Sequence, residues 1–213
     1  FVRRVCRSSK LLDDHFARDD EDQYSIEQYG QAAVIDVETT GLDATRHEVL
    51  ELAIMLFLFK RTSGQIIGIK DQYVGLQEPS QRIPLEATAI HGIHEKMVRN
   101  RRLDDHRIMS LMSQAEFIIA HNARFDYSFV TRLYPSTAQK TWLCSMLQID
   151  WRSYGFYSRG LQNLLENHKL SVETMHRAQY DCQGILLLLN SKNSQGEHYL
   201  KELLLSLPCS NSK

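Results

Sequence analysis

The amino-acid sequence predicts an α/β fold, a five-stranded mixed sheet with helices on its faces. Two observations predict it. Three strand-like runs follow one another closely, and strand and helix patterns then alternate to the end of the chain. The first run, Ala-Ala-Val-Ile-Asp-Val-Glu from Ala32, is short, apolar and β-branched, and Thr39-Thr40-Gly41 ends it. Residues 49–59 form the second strand and 65–76 the third, with Thr62-Ser63-Gly64 as the hairpin turn between them. Helices are expected near 86–90 and 104–114, and a fourth strand at 116–120. A helix over 123–133 is stopped by Pro135, and a short fifth strand covers 141–145. Leu161, Leu164 and Leu165 show i, i+3, i+4 spacing. Residues 177–189 make a strongly apolar helix, and Tyr199, Leu200, Leu203 and Leu204 mark a last amphipathic one.

Residues 1–30 read as an N-terminal extension: six of the ten residues from Asp13 to Asp22 are acidic, and Leu11, Leu12 and Phe16 allow one short helix. The main domain is expected at 31–192, with a C-terminal helix and tail at 193–213. No internal repeat is present.

Composition excludes several classes. Of 213 residues, 43% are hydrophobic and 24% charged, values that rule out a disordered chain, a collagen-like repeat and a membrane bundle. The longest apolar run, 52–59, has eight residues against the roughly 20 needed to span a bilayer, so no membrane is expected. The net charge of −1 offers no global basic field, and nucleic-acid binding would need a local patch or metal ions. Cys6, Cys144, Cys182 and Cys209 contain no CxxC pair. That argues against zinc or a disulfide framework and for reduced thiols in a cytoplasmic protein. Residues 1–10 lack the pattern of a signal peptide.

Asp36 and Glu38 lie two apart on a strand, so their side chains share a face at its carboxyl end, where open α/β sheets place ligands. Two anions so close repel each other, and a divalent cation is the simplest remedy. The second carboxylate motif, Phe117 to Asp126, is a strand that turns at His121-Asn122 and delivers Asp126 in the first turn of a helix. Its bland explanation is a favourable helix-dipole contact, and His121 and Asn122 suit a turn-holding role. In the third, His176 enters a helix whose buried stripe borders Asp181, expected more than one turn inside; that is a costly place for an unpaired carboxylate, and its bland explanation is a satisfied histidine and an ion-paired Asp. Four carboxylates offer oxygen ligands only, which suit Mg²⁺ or Mn²⁺, and a nearby imidazole suits a general base acting on water. Together they point to metal-dependent phosphodiester hydrolysis.

Asp36-Val-Glu38-Thr-Thr-Gly41, His121-Asn122-Ala-x-Phe125-Asp126 and His176-x4-Asp181 resemble the three exonuclease motifs of the DEDDh class, the 3′→5′ exonucleases related to the proofreading epsilon subunit of bacterial DNA polymerase III. The resemblance runs from about residue 32 to 189 and includes Ile90-His91-Gly92-Ile93. Cys144-Ser-Met146 and His176-Arg-Ala-x-Tyr-Asp181-Cys182 are similar to the exonuclease X branch. The resemblance implies a ribonuclease-H-like fold and two Mg²⁺ or Mn²⁺ ions held by Asp36, Glu38, Asp126 and Asp181, with Asp36 bridging both and Asp126 acting largely through water. It further implies that His176 takes a proton from the nucleophilic water. Val37, Thr39, Thr40, Gly41 and Asn122 would contact the 3′-terminal nucleotide, and His91 and Phe125 would stack or wedge against terminal bases. DNA, single-stranded or frayed at its 3′ end, is the implied partner and a DNA polymerase a further one, in replication or repair. Two departures stand out: His94 occupies a position where Thr is frequent, and the acidic extension lies outside the family core.

Other readings are weighed beside this one. RNA trimming, as in oligoribonuclease-like relatives, keeps the chemistry and changes the substrate. A non-catalytic nucleic-acid- or polymerase-binding relative would have lost a metal ligand, and none is lost here. Arg99, Arg101, Arg102 and Arg107 form the densest basic cluster, but Asp104 and Asp105 interrupt it, and a solvated helix start explains it as well. Lys140, Arg152, Arg159 and Lys169 are better placed to meet a nucleic-acid backbone. His91 and His94 lack the further ligands that zinc would need, and Trp142 and Cys144 read as core.

Overall fold

The computed structural model describes residues 28–207. The expected short helix on Leu11, Leu12 and Phe16, and Cys6 and Cys209, lie outside them. Five strands form one sheet in the order β3-β2-β1-β4-β5: β1 Tyr29–Thr39, β2 Val49–Lys60, β3 Ile66–Leu76, β4 Phe117–Ala120 and β5 Thr141–Cys144. The first three pair antiparallel, and β1–β4 and β4–β5 pair parallel. The sheet is the mixed one that the strand order predicts.

β1 begins earlier than its apolar run, because Tyr29, Gly30 and Gln31 pair with Lys60, Phe59 and Leu58. Gly30 is needed there: a Cβ would stand 2.2 Å from the Phe59 ring. The helices are α1 Leu85–His91, α2 Glu95–Val98, α3 Asp105–Gln114, α4 Ala123–Leu133, α5 Leu161–Asn167, α6 Ala178–Asn190 and α7 Tyr199–Leu205, with a 3-10 turn at Pro135–Gln139. The short α2 and the 3-10 turn carry too few residues to show a period, and the sequence pattern missed both. None of the described helices is long and apolar enough to cross a membrane.

Strand alternation divides the core into two layers. Ala32 and Val34 face α6, where Cys182, Ile185, Leu186 and Leu189 are fully buried, with α5 and α7 flanking it. Ala33, Ile35 and Val37 face the other way, onto Ile108, Leu111 and Met112 of α3 and Phe129 and Val130 of α4. Each fully buried aliphatic side chain contributes about 1.5–3 kcal/mol. α6 is apolar nearly all round because it lies between the sheet and two further helices. Gly184 permits the approach of α5: a Cβ there would come within 2.9 Å of Leu165.

The connection after β5 is pinned by Trp151, which is 0% exposed and donates its Nε1–H to the Ser145 carbonyl at 2.8 Å. Its ring packs on Phe156, His168 and Tyr199. Replacing Trp151 with Ala should cost about 3–5 kcal/mol, read as a lower urea midpoint at unchanged slope. A midpoint within error of the parent would show that this anchor is dispensable.

Candidate active site

Four sequence-predicted acids meet at the carboxyl ends of β1 and β4. Asp36 and Glu38 project toward α6, the same face as Val34, because strand periodicity is two. Parallel pairing of β1 with β4 covers only Ala33 and Val34. Beyond it the strands separate, and Val37 N–H is left to donate to Asp126 Oδ1 at 3.2 Å. Asp126 is 2% exposed and arrives from α4 on the opposite face of the sheet. This crevice between diverging strands is where α/β sheets hold ligands. Carboxylate oxygens of Asp36, Glu38 and Asp181 lie within 4.8 Å of one another. Asp126 lies outside that trio, yet near enough to disfavour ionisation of Asp36.

Thr39, Thr40 and Gly41 leave the sheet at a register shift between Glu38 and Thr39. Thr40 closes the turn twice: its N–H donates to the Glu48 carbonyl and its Oγ1 accepts from Glu48 N–H, both at 2.9 Å. Thr39 Oγ1 donates to the Gly41 carbonyl at 2.7 Å. A Cβ on Gly41 would stand 2.5 Å from the His47 ring, so any other residue there would displace that ring. Leu42 follows at 84% exposure, an apolar side chain left in water at the end of this turn.

His91 ends α1 and is 5% exposed, with Nδ1 accepting from Ile93 N–H at 3.0 Å and a buried Nε2 without a partner. Burial lowers its pKa. Its neighbour Ile90 is 61% exposed. Phe125 is half-buried against Phe129, ring centroids 5.0 Å apart. Asn122 is exposed and left-handed (φ 71°), and its side chain does not cap α4. The turn is held instead by His121, whose Nε2–H donates to the Arg159 carbonyl at 2.8 Å while Nδ1 meets Ser145 Oγ at 2.9 Å.

His176 is exposed, on the turn before α6, with φ 58°. A left-handed residue carrying a Cβ costs about 1–2 kcal/mol, so something must hold it. Its main chain hydrogen-bonds the Asp181 carboxylate, and the next residue is anchored to the sheet. Arg177 grips Glu51 with Nε to Oε2 at 2.9 Å and Nη2 to Oε1 at 2.5 Å, and Ala178 N–H adds a third donor at 3.0 Å. Glu51 is 1% exposed on β2, directly opposite Glu38. This fifth carboxylate did not figure in the sequence reading. Its signal was a lone charge within the otherwise apolar stretch 49–59, a place where a carboxylate needs a partner. α6 begins at Ala178, and Asp181 falls in its first turn, not deeper.

The acids strain against one another. Burial first, then Asp126, Asp181, Glu38 and Glu51, push Asp36 well above the carboxylate range. Burial and the same neighbours raise Glu38 to about 8, with Arg177 pulling back. Burial also raises Asp126 and Asp181, and His176 opposes the shift at Asp181. Asp181 Oδ1 is buried with no hydrogen-bond partner. An all-oxygen set with an orphaned acceptor fits a hard divalent cation.

Two of the expected basic contacts are otherwise engaged. Lys140 Nζ donates to the Ala115 carbonyl at 2.6 Å and to that of Ser113 at 3.2 Å, locking β5 to the end of α3. Arg107 is paired with Asp71. Arg152 instead lies over the 80%-exposed Tyr157 ring. Trp142 and Cys144 are half-buried at the edge of the second core layer.

A folded carboxyl with a raised pKa binds its proton more tightly than the unfolded chain does. In the metal-free protein the stability that these carboxyls contribute is therefore fully present below the unfolded value of about 4 and is lost as pH rises toward 8. In EDTA, the melting temperature should fall between pH 5 and 8. Added Mg²⁺ or Mn²⁺ should raise it more at pH 8 than at pH 5.5, since protons compete with the cation. Asp36→Asn should melt above the parent in EDTA at pH 8; a lower value would mean that the acids do not repel.

The profile of the exonuclease family RNase_T matches residues 33–189. The PolC-type DNA polymerase III of Thermotoga maritima is 32% identical over 120 residues, 55% of this chain and 8% of that polymerase, so the chain spans under a tenth of this curated relative. Exonuclease X, solved in complex with 5′ overhanging duplex DNA, superposes with a TM-score of 0.52 at 25% identity, over 80% of this chain and 99% of that one. Exonuclease I gives a TM-score of 0.62 at 17% identity over 76% of this chain and 40% of that one, a likeness of fold that bears out the ribonuclease-H-like sheet. With a profile match that takes in all three carboxylate motifs and the histidine, the chain belongs to the RNase_T exonuclease family.

Proposed function

We propose that the protein is a divalent-metal-dependent 3′→5′ exonuclease that releases 5′-mononucleotides from DNA ends. The observation that carries this reading is the convergence of Asp36, Glu38 and Asp181 within 4.8 Å, with Asp126 held beside them. These four acids would hold two Mg²⁺ or Mn²⁺ ions, whose charge lowers the pKa of a water and neutralises the phosphoryl oxygens. His176, exposed and beside Asp181, takes a proton from the water that attacks phosphorus. The new O–P bond forms as the bond to the 3′-oxygen of the preceding nucleotide breaks, and that oxygen receives a proton. The products are a 5′-mononucleotide and a strand one unit shorter.

The Thr39–Gly41 turn holds the terminal nucleotide, its rigidity supplied by the Thr40–Glu48 pair. Leu42, Ile90 and the half-buried Phe125 offer apolar surface for a base. The buried His91 supports the turn from below, its ring next to Thr39. DNA as substrate is supported by exonuclease X bound to duplex DNA, and a polymerase partner by the PolC-type relatives. The nuclease unit is placed at about 31–192, supported by the profile match, and a cytoplasmic setting by the free thiols of Cys144 and Cys182.

Digestion of 3′-labelled and 5′-labelled single-stranded DNA, with and without EDTA, tests polarity and metal need together. Label should leave the 3′ end at once as mononucleotide, and EDTA should stop it. Asp36→Ala and Asp181→Ala should abolish activity in a folded protein, and His176→Ala should reduce it about 10²–10⁴-fold. Parental rates in Asp36→Ala would overturn the reading. Faster digestion of a matched RNA strand would move the substrate class to RNA.

A further inference from the structure

Glu51 is the one polar side chain between residues 49 and 59, and strand alternation turns it to the face of Glu38 and α6. There it receives three donors, two from Arg177 and one from Ala178 N–H. The pair is lopsided in exposure: the Glu51 side chain is 1% exposed and that of Arg177 29%. A bidentate guanidinium–carboxylate contact fixes orientation as well as distance. It therefore fixes the main chain on both sides of Arg177. On one side is His176 in its left-handed conformation, and on the other the first turn of α6, where Asp181 N–H donates to the Arg177 carbonyl at 3.0 Å.

We infer that Glu51 and Arg177 are positioning residues: their pair clamps the turn before α6 to strand β2 and so presents the His176 imidazole to the water held at the carboxylates. The inference rests on His176 as the general base. His176 itself is exposed, and its main chain hydrogen-bonds the Asp181 carboxylate on the same turn, so the anchor of that turn to the sheet is the Arg177 pair. Once the clamp is released, the left-handed turn relaxes toward ordinary backbone and the imidazole swings away. The acids stay: Asp36 and Glu38 sit on β1, Asp126 is tied to Val37, and Asp181 is carried by a helix whose Cys182, Ile185 and Leu186 remain fully buried.

The test is a double-mutant cycle on Arg177→Ala and His176→Ala. It is read by kcat and KM on the p-nitrophenyl ester of thymidine 5′-monophosphate, together with Mn²⁺ titration calorimetry. Arg177→Ala should lower kcat about 10–100-fold with KM and Mn²⁺ affinity within about threefold. The double variant should be no slower than His176→Ala alone. Ethylguanidinium should restore turnover to Arg177→Ala and not to the double variant. Arg177→Lys keeps the charge opposite Glu51 but loses the fork, so it should fold like the parent and still lose kcat. Multiplying losses in the cycle, a matching fall in Mn²⁺ affinity, or a parental kcat in Arg177→Lys would overturn the clamp. A parent that does not hydrolyse the ester with Mn²⁺ would instead sink the nuclease reading, a separate result.

Discussion

Mutual repulsion among carboxylates is the constraint on which the rest of this structure depends. Asp36, Glu38, Asp126 and Asp181 are brought from one strand and two helices into one crevice, with Glu51 close behind. Each is taken partly out of water beside like charges, and every resolved shift among the four is upward. A fold that gathers such charges must spend stability elsewhere to keep them together, and must leave the gathering point open to a cation.

The sheet supplies that stability. β1 lies at its centre, paired on both sides and covered on both faces, so the strand bearing Asp36 and Glu38 cannot shift to relieve them. α6 is driven onto the same face by Cys182, Ile185 and Leu186, all fully buried, and it brings Asp181 with it. Local devices then set each acid. The free Val37 N–H takes Asp126, the Glu51–Arg177 pair holds the start of α6, and His121 ties the β4 turn to the loop at Arg159. Burial of Glu51 would be unfavourable alone; removing its partner from such a site costs about 3–5 kcal/mol.

The same economy explains the turn after β1. Thr39 and Thr40 are buried polar groups whose hydroxyls are both used, and Gly41 leaves room for the His47 ring. The result is a stiff cradle beside the carboxylates, bordered by apolar side chains left in water. Stiffness there matters because a group placed by rigid neighbours need not be reorganised when substrate binds.

Much of this was legible in the order of residues. Strand positions followed from apolar β-branched runs, the shared face of Asp36 and Glu38 from a period of two, and the first-turn place of Asp126 from the His121-Asn122 break. These are local facts, carried by neighbours in the chain. What only the tertiary structure decided is which distant groups meet. The Val37–Asp126 bond spans 89 residues and the Arg177–Glu51 pair 126. Glu51 looked like one more residue of a buried strand, and Lys140 like a phosphate contact, until folding placed the first against Arg177 and the second against the end of α3. A side chain's role depends on its partner, and only the closed packing of the sheet and its helices chooses partners across such distances.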